Sequence, residues 1–156
     1  MLGIRDADSE LSEEIAMAQT IKLEVVTPER PVFSAEVSEV QFPTASRGYY
    51  GILPGHTPLM TAVGDGLLYY VKDGQKHWLT VFGGFAEVGP DRVTILARES
   101  ETVDMIDLEQ VEAQRQRALK LLKEAVTEHD LTSAQAALDA SLIRLQAAGH
   151  PAGHGF

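Results

Sequence analysis

Five histidines and 23 carboxylates, with no cysteine, are the raw material for chemistry in this 156-residue chain. The missing cysteines exclude disulfides, thiolate metal sites and cysteine nucleophiles. His150 and His154 have a chelating spacing, but two ligands in a glycine-rich tail make a poor metal site. His77, beside Trp78, reads as an exposed strand residue. No phosphate-cradling glycine loop, Gly-x-Gly-x-x-Gly fingerprint, Gly-x-Ser-x-Gly elbow or His-Glu-x-x-His pair occurs. The residues therefore favour a binding or mechanical part over a catalyst, with no catalytic or metal-ligating set expected.

The net charge of −10 argues against binding nucleic acid through its phosphates. No apolar run approaches the roughly 20 residues of a spanning helix, and the N-terminus is acidic where a signal peptide is basic and then apolar. Residues 1–16 carry Asp6, Asp8, Glu10, Glu13 and Glu14 against Arg5. They read as a disordered or loosely helical extension outside the fold, with Met17 standing where a start codon would.

Residues 17–102 read as a β-sandwich or flattened barrel of short antiparallel strands. Ile21–Val25, Trp78–Phe82 and Arg92–Ile95 alternate with period two, and Asp73-Gly74 is a hairpin signal. Residues 103–149 change texture. No glycine or proline interrupts Asp107–Ala148, and Asp107 with Gln110 fits a capping box. Leu108, Val111, Ala118, Leu122 and Ala125 form one helical stripe, interrupted by Arg115. Leu131, Ala134, Leu138, Ser141/Leu142 and Leu145 form another, with Asp130 or Thr132 as its cap and Glu128–Asp130 as the connection. This α+β chain is thus expected to end in an antiparallel two-helix hairpin and a flexible tail, 150–156. Alanine-rich seams bury little area, so the hairpin is suited to move.

The most distinctive stretch is Gly51-Ile52-Leu53-Pro54-Gly55-His56-Thr57-Pro58-Leu59. It is followed by Gly66-Leu67-Leu68, Gly83-Gly84-Phe85-Ala86-Glu87-Val88 and Val93-Thr94-Ile95-Leu96-Ala97. In this order and spacing, over about residues 19–148, the chain resembles the epsilon subunit of the bacterial and chloroplast F-type ATP synthase. Residues 1–16 have no counterpart in the family pattern.

The resemblance implies a non-catalytic rotor subunit, peripheral at the cytoplasmic face of the bacterial membrane and without direct lipid insertion. Its sandwich would grip the gamma subunit and rest on the c-subunit ring, coupling proton-driven rotation to ATP synthesis. Tyr49, Gly51, Ile52, Leu53, His56 and Leu59 are the candidates for that surface, whereas the glycines and prolines of the loop, Pro54 and Pro58 above all, also serve simply to shape turns. The hairpin would contact the alpha and beta subunits and inhibit ATP hydrolysis. Its candidate contacts are Arg115, Arg117, Lys120 and Lys123 in the first helix and Arg144 in the second, the latter helix being poorer in basic residues than family inhibitors.

Some family members bind ATP through Ile-Asp-x-x-Arg-Ala at the sandwich–hairpin junction. Ile106 and Asp107 match, and Glu101 and Arg117 occupy two further ligand positions. Gln110 and Val111 replace the arginine and alanine, so no cofactor is expected and affinity for ATP should fall. A nucleotide-sensing regulator remains the alternative function. Finally, Glu10-Leu11-Ser12-Glu13-Glu14 is similar to the acidic beta-subunit segment that such hairpins meet. As a mimic it would dock on the first helix's basic cluster.

Overall fold

The computed structural model describes residues 19–150; the acidic extension and the end of the tail, including His154, lie outside them. Eight strands come first: β1 (Ile21–Val26), β2 (Pro31–Val37), β3 (Glu39–Pro43), β4 (Tyr49–Ile52), β5 (Leu59–Ala62), β6 (Gly66–Lys72), β7 (Gln75–Val88) and β8 (Arg92–Thr102). A 3-10 turn at Val103–Met105 leads into helices α1 (Leu108–Glu124) and α2 (Glu128–Ala148).

Alternation does what period two requires. Ile21, Leu23 and Val25 are fully buried, with Lys22 and Glu24 on the other face. They join Val93, Ile95 and Ala97 of β8, and Val40, Phe42, Leu68, Leu79 and Val81 of the opposite layer, in one core. The strand order is β2-β1-β8-β7-β6-β3-β4, with β5 also pairing β7. β7 is long because it serves both layers: Gln75–Val81 pairs with β6, and Phe85–Val88 with β5.

The turn between these two halves is made by Gly83 and Gly84, at φ 63° and 113°. A Cβ on Gly84 would lie 1.9 Å from the Leu96 carbonyl oxygen, so close backbone approach as well as positive φ requires glycine there. The sheet is not wholly antiparallel, because β1 runs parallel to β8 with Lys22 opposite Arg92 and Val26 opposite Leu96. Only strands joined by a tight turn are forced to reverse, and these two are separated by most of the β region.

Asp107 caps α1 by accepting from the Gln110 amide at 3.3 Å, as its position suggests. The cap of α2 is Thr127, whose Oγ1 accepts from the Asp130 amide at 3.1 Å. Neither Asp130 nor Thr132 fills that role, and Glu128–Asp130 form the first helical turn instead of the connection. Thr127→Ala is expected to cost about 1 kcal/mol of hairpin stability, measured as faster amide exchange at Asp130 and Leu131.

The helix seam is built from smaller residues than the sequence stripes suggest. Val111 and Ala118 of α1, and Ala134, Ser141 and Ala147 of α2, are buried, whereas Leu108, Leu131 and Leu142 are about half exposed. Small side chains let the helices approach closely and leave the leucines at the rim. Each buried methyl contributes only about 0.8 kcal/mol. The hairpin therefore depends on what α2 touches outside it: β6, β7, the 3-10 turn and, through Arg144, β8.

Candidate interaction surfaces

Two regions hold the expected functional side chains. The first is the loop between β4 and β5. Gly55 at φ 85° donates its amide to the Pro90 carbonyl at 2.7 Å, and the His56 amide bonds the Leu53 carbonyl at 3.2 Å. The first bond ties the loop to the turn between β7 and β8, and the second closes a turn within the loop. His56 is half-buried, with Nδ1 2.6 Å from the Thr57 carbonyl oxygen, which fixes the ring's orientation. Tyr49 and Leu53 are exposed by 59% and 57%. Gly51 is exposed and Leu59 half-buried, while Ile52 lies wholly in the core and anchors the loop. The loop thus presents tyrosine and leucine side chains on a backbone braced from behind.

The second region is where the hairpin meets the sandwich. Arg144 of α2 lies 16% exposed, its Nε donating to Glu101 at 2.6 Å and its Nη2 to Glu99 at 2.9 Å. Its guanidinium also lies over the Phe82 ring, 4.7 Å from the centroid. Two carboxylates, one cation and an aromatic face make a partly buried clamp in which charge-assisted bonds are stronger than at an open surface. At the end of α2, His150 stacks on Trp78 at 4.0 Å, and Trp78 in turn packs against Tyr69. His150 is thereby engaged in an aromatic stack, and no cluster of three or more metal-ligating residues occurs among the described residues.

This arrangement redistributes the expected site residues. Glu101 and Arg144, read from sequence as a nucleotide ligand and a partner contact, meet each other across 43 residues of chain. Asp107 serves as the α1 cap, Ile106 is half-buried, and Arg117 is exposed on α1. A cleft of about 270 Å³ at the junction is lined by Phe33, Tyr70, Trp78, Thr102 and Asp104 among others, but by none of Glu101, Ile106, Asp107, Arg117 and Arg144. Another of about 220 Å³ contains Glu101 with Arg144, Arg98 and Arg30. Neither gathers Glu101, Ile106, Asp107 and Arg117 together.

On α1, Arg115 is held by Glu112 at 2.8 Å, and this hydrogen bond draws the Glu112 carboxyl below its ordinary range. Arg117, Lys120 and Lys123 are exposed. His77, expected at the surface, is buried at 7% exposure and stacks on Tyr70 at 4.9 Å. Its strand position faces the inter-layer space, a choice that alternation around a histidine leaves open. Burial, together with the charge of Asp104, pushes the Tyr70 phenol above its ordinary pKa.

Both structural units match known families over nearly the whole described chain. Residues 20–103 match the beta-sandwich domain of the ATP synthase delta/epsilon chain, and residues 104–149 match its long alpha-helix domain. The chain belongs to the ATP synthase epsilon-chain family. The ATP synthase epsilon chain of Bacillus subtilis is 44% identical over 131 residues, covering 84% of this chain and 98% of the relative. Epsilon chain 2 of Syntrophotalea carbinolica is 42% identical over 134 residues, covering 85% and 96%. In fold, the chain is similar to one in the Euglena gracilis mitochondrial ATP synthase structure of OSCP, F1 and c-ring. The TM-score is 0.70 at 24% identity, covering 84% of this chain and 82% of that one. Members of the family are non-catalytic subunits of the synthase, consistent with the absence of an enzyme motif from this sequence. No helix among the described residues is long and apolar enough to cross a membrane.

Proposed function

We propose that this epsilon subunit works as a coupling element and a releasable brake. Its sandwich binds the gamma subunit and meets the c-subunit ring through the β4–β5 loop, at the cytoplasmic face of the membrane. Its hairpin regulates ATP hydrolysis by leaving the sandwich to contact the alpha and beta subunits. The observation that carries the brake is the Arg144 clamp. The helices hold each other through small side chains, and the polar grip on Glu99 and Glu101 is a contact that a competing surface can replace. A ligand or partner shifts such a two-position element in proportion to its differential affinity for the two positions.

The nucleotide-sensing alternative has less behind it, because Glu101 is engaged by Arg144 and Gln110 supplies no fixed cation for phosphate.

The test is ATP hydrolysis by an isolated alpha–beta–gamma complex, titrated with the full chain and with a truncation ending at Thr102. Both forms are expected to bind the matched gamma subunit, and the full chain to inhibit more strongly. Equal inhibition by both would remove the hairpin's role as a brake. Failure of both to bind gamma would overturn the coupling role as well.

A further inference from the structure

The hairpin meets the sandwich at a second point besides Arg144. On β7, Trp78, Thr80 and Phe82 alternate onto one face, and Thr80 is fully buried. Arg144 lies over Phe82, and His150 lies flat on Trp78, with 4.0 Å between ring centroids and 11° between planes. From Phe82 to Trp78 is about 13 Å of strand, and from Arg144 to His150 about 9 Å of helical rise. The two pairs follow in opposite chain order. The end of α2 therefore runs antiparallel to β7, with one contact at each end of the shared stretch.

Both partners of the stack are set in place beforehand. Trp78 packs against Tyr69 at 5.3 Å, and Tyr69 in turn lies under the Lys76 ammonium at 4.5 Å. On the helix side, the Gly149 amide bonds the Leu145 and Gln146 carbonyls at 3.1 and 3.2 Å. The His150 amide bonds the carbonyl of Ala147, a wholly buried residue, at 3.1 Å. Pro151 follows in sequence, and a residue before proline is turned away from helical backbone. The chain thus leaves the helix where its next ring reaches the indole. Groups ordered in advance lose little freedom on contact, so the stack keeps most of its attraction.

We infer that His150 is a second latch of the hairpin, which fixes the register of α2 on β7 and shares with Arg144 the task of holding the brake off. Only the last part rests on the proposed brake; the latch itself is a property of the chain alone. A helix held at Arg144 alone is free to pivot about that point, whereas a contact beyond its last turn fixes its direction too. Sliding α2 by one turn, about 5.4 Å, breaks both contacts together, so the docked hairpin has one register. The helices hold each other through alanine and serine, which leaves the docked position to a few named contacts. Each of them carries a measurable share.

The chain has a single tryptophan, so its emission reports the latch directly. In the full chain, His150→Ala is expected to speed amide exchange along α2 by about two- to tenfold. It should also open Trp78 to a neutral quencher, acrylamide. His150→Phe keeps a flat ring and should restore both readings to those of the parent. Exchange in β1, whose Ile21, Leu23 and Val25 are packed by the core, is the folding control and should not move. Titrated into the alpha–beta–gamma complex, His150→Ala should reach half-inhibition at a concentration lower by the same factor. An alanine variant equal to the parent in exchange and quenching would overturn the latch. A phenylalanine variant that behaved like the alanine one would overturn the stack as its basis. A looser α2 with unchanged half-inhibition, where the parent inhibits more strongly than the truncation at Thr102, would overturn its share in the brake. Equal inhibition by parent and truncation would remove the brake itself, and exchange and quenching would then decide the latch by themselves.

Discussion

Gly84→Ala is expected to destabilise the sandwich by at least about 3 kcal/mol, lowering its melting temperature by roughly 10 °C or more. Two independent costs meet at this residue. Its φ of 113° is one that side-chain-bearing residues rarely adopt, and the added carbon would sit 1.9 Å from the Leu96 oxygen and 2.9 Å from the Ala97 Cα. Both obstacles are backbone atoms of β8, so no rotamer change relieves them. The strands must part at the place where β7 turns from one layer to the other, and the core behind them, including Ala86 and Ala97, loses its closure. Gly51→Ala is the control. An added Cβ there meets nothing within 4 Å, so thermal unfolding is expected to shift by less than about 2 °C.

Arg144→Ala is expected to loosen the hairpin without unfolding the sandwich. The guanidinium is 16% exposed and serves Glu99, Glu101 and the face of Phe82 at once. Its removal leaves Glu101, itself only 25% exposed, without its cation. Breaking a hydrogen bond to a charged group costs about 1.5–3 kcal/mol. Since each 1.4 kcal/mol is a factor of ten, amide exchange along α2 should quicken by roughly 10- to 100-fold. Exchange in β1 and β8 should stay unchanged, because Ile21, Leu23, Val25, Val93 and Ile95 are packed by the core alone. Equal acceleration in both regions would mean that the clamp supports the whole fold.

Much of this architecture was legible in the sequence because its signals are local. Alternation in Ile21–Val25 places three residues in the core, the glycine- and proline-free run after Asp107 becomes the helices, and Asp107 itself supplies the cap. What escaped is what depends on geometry between distant residues. Thr127, Asp130 and Thr132 all have side chains able to cap α2, and only the path of the chain selects the first. The leucine stripes pointed to an apolar seam, but the helices approach on alanine and serine because those permit a closer contact. The parallel pairing of β1 with β8 has no turn to announce it. The Arg144–Glu101 bond joins residues 43 apart with no periodic relation, so each side chain looked available for a different task.

The β4–β5 loop shows the same division. Its glycines and prolines announced an elaborate turn, and the structure supplies the brace, a bond from Gly55 to Pro90 in another connection. Tyr49 and Leu53 stand outside, whereas Ile52, equally apolar in sequence, is buried. Apolar character alone does not separate the residue that anchors such a loop from those that remain accessible to a partner.

The most direct measurement compares inhibition of ATP hydrolysis by the parent chain and by the double variant Glu99→Gln/Glu101→Gln, each titrated into the alpha–beta–gamma complex. The variant weakens the clamp from the sandwich side and leaves Arg144 and every basic residue of the hairpin intact. If docking on the sandwich holds the brake off, the variant should inhibit at a concentration about tenfold lower, corresponding to roughly 1.4 kcal/mol of lost docking energy. Inhibition that is unchanged or weaker would contradict a hairpin held in reserve by this clamp.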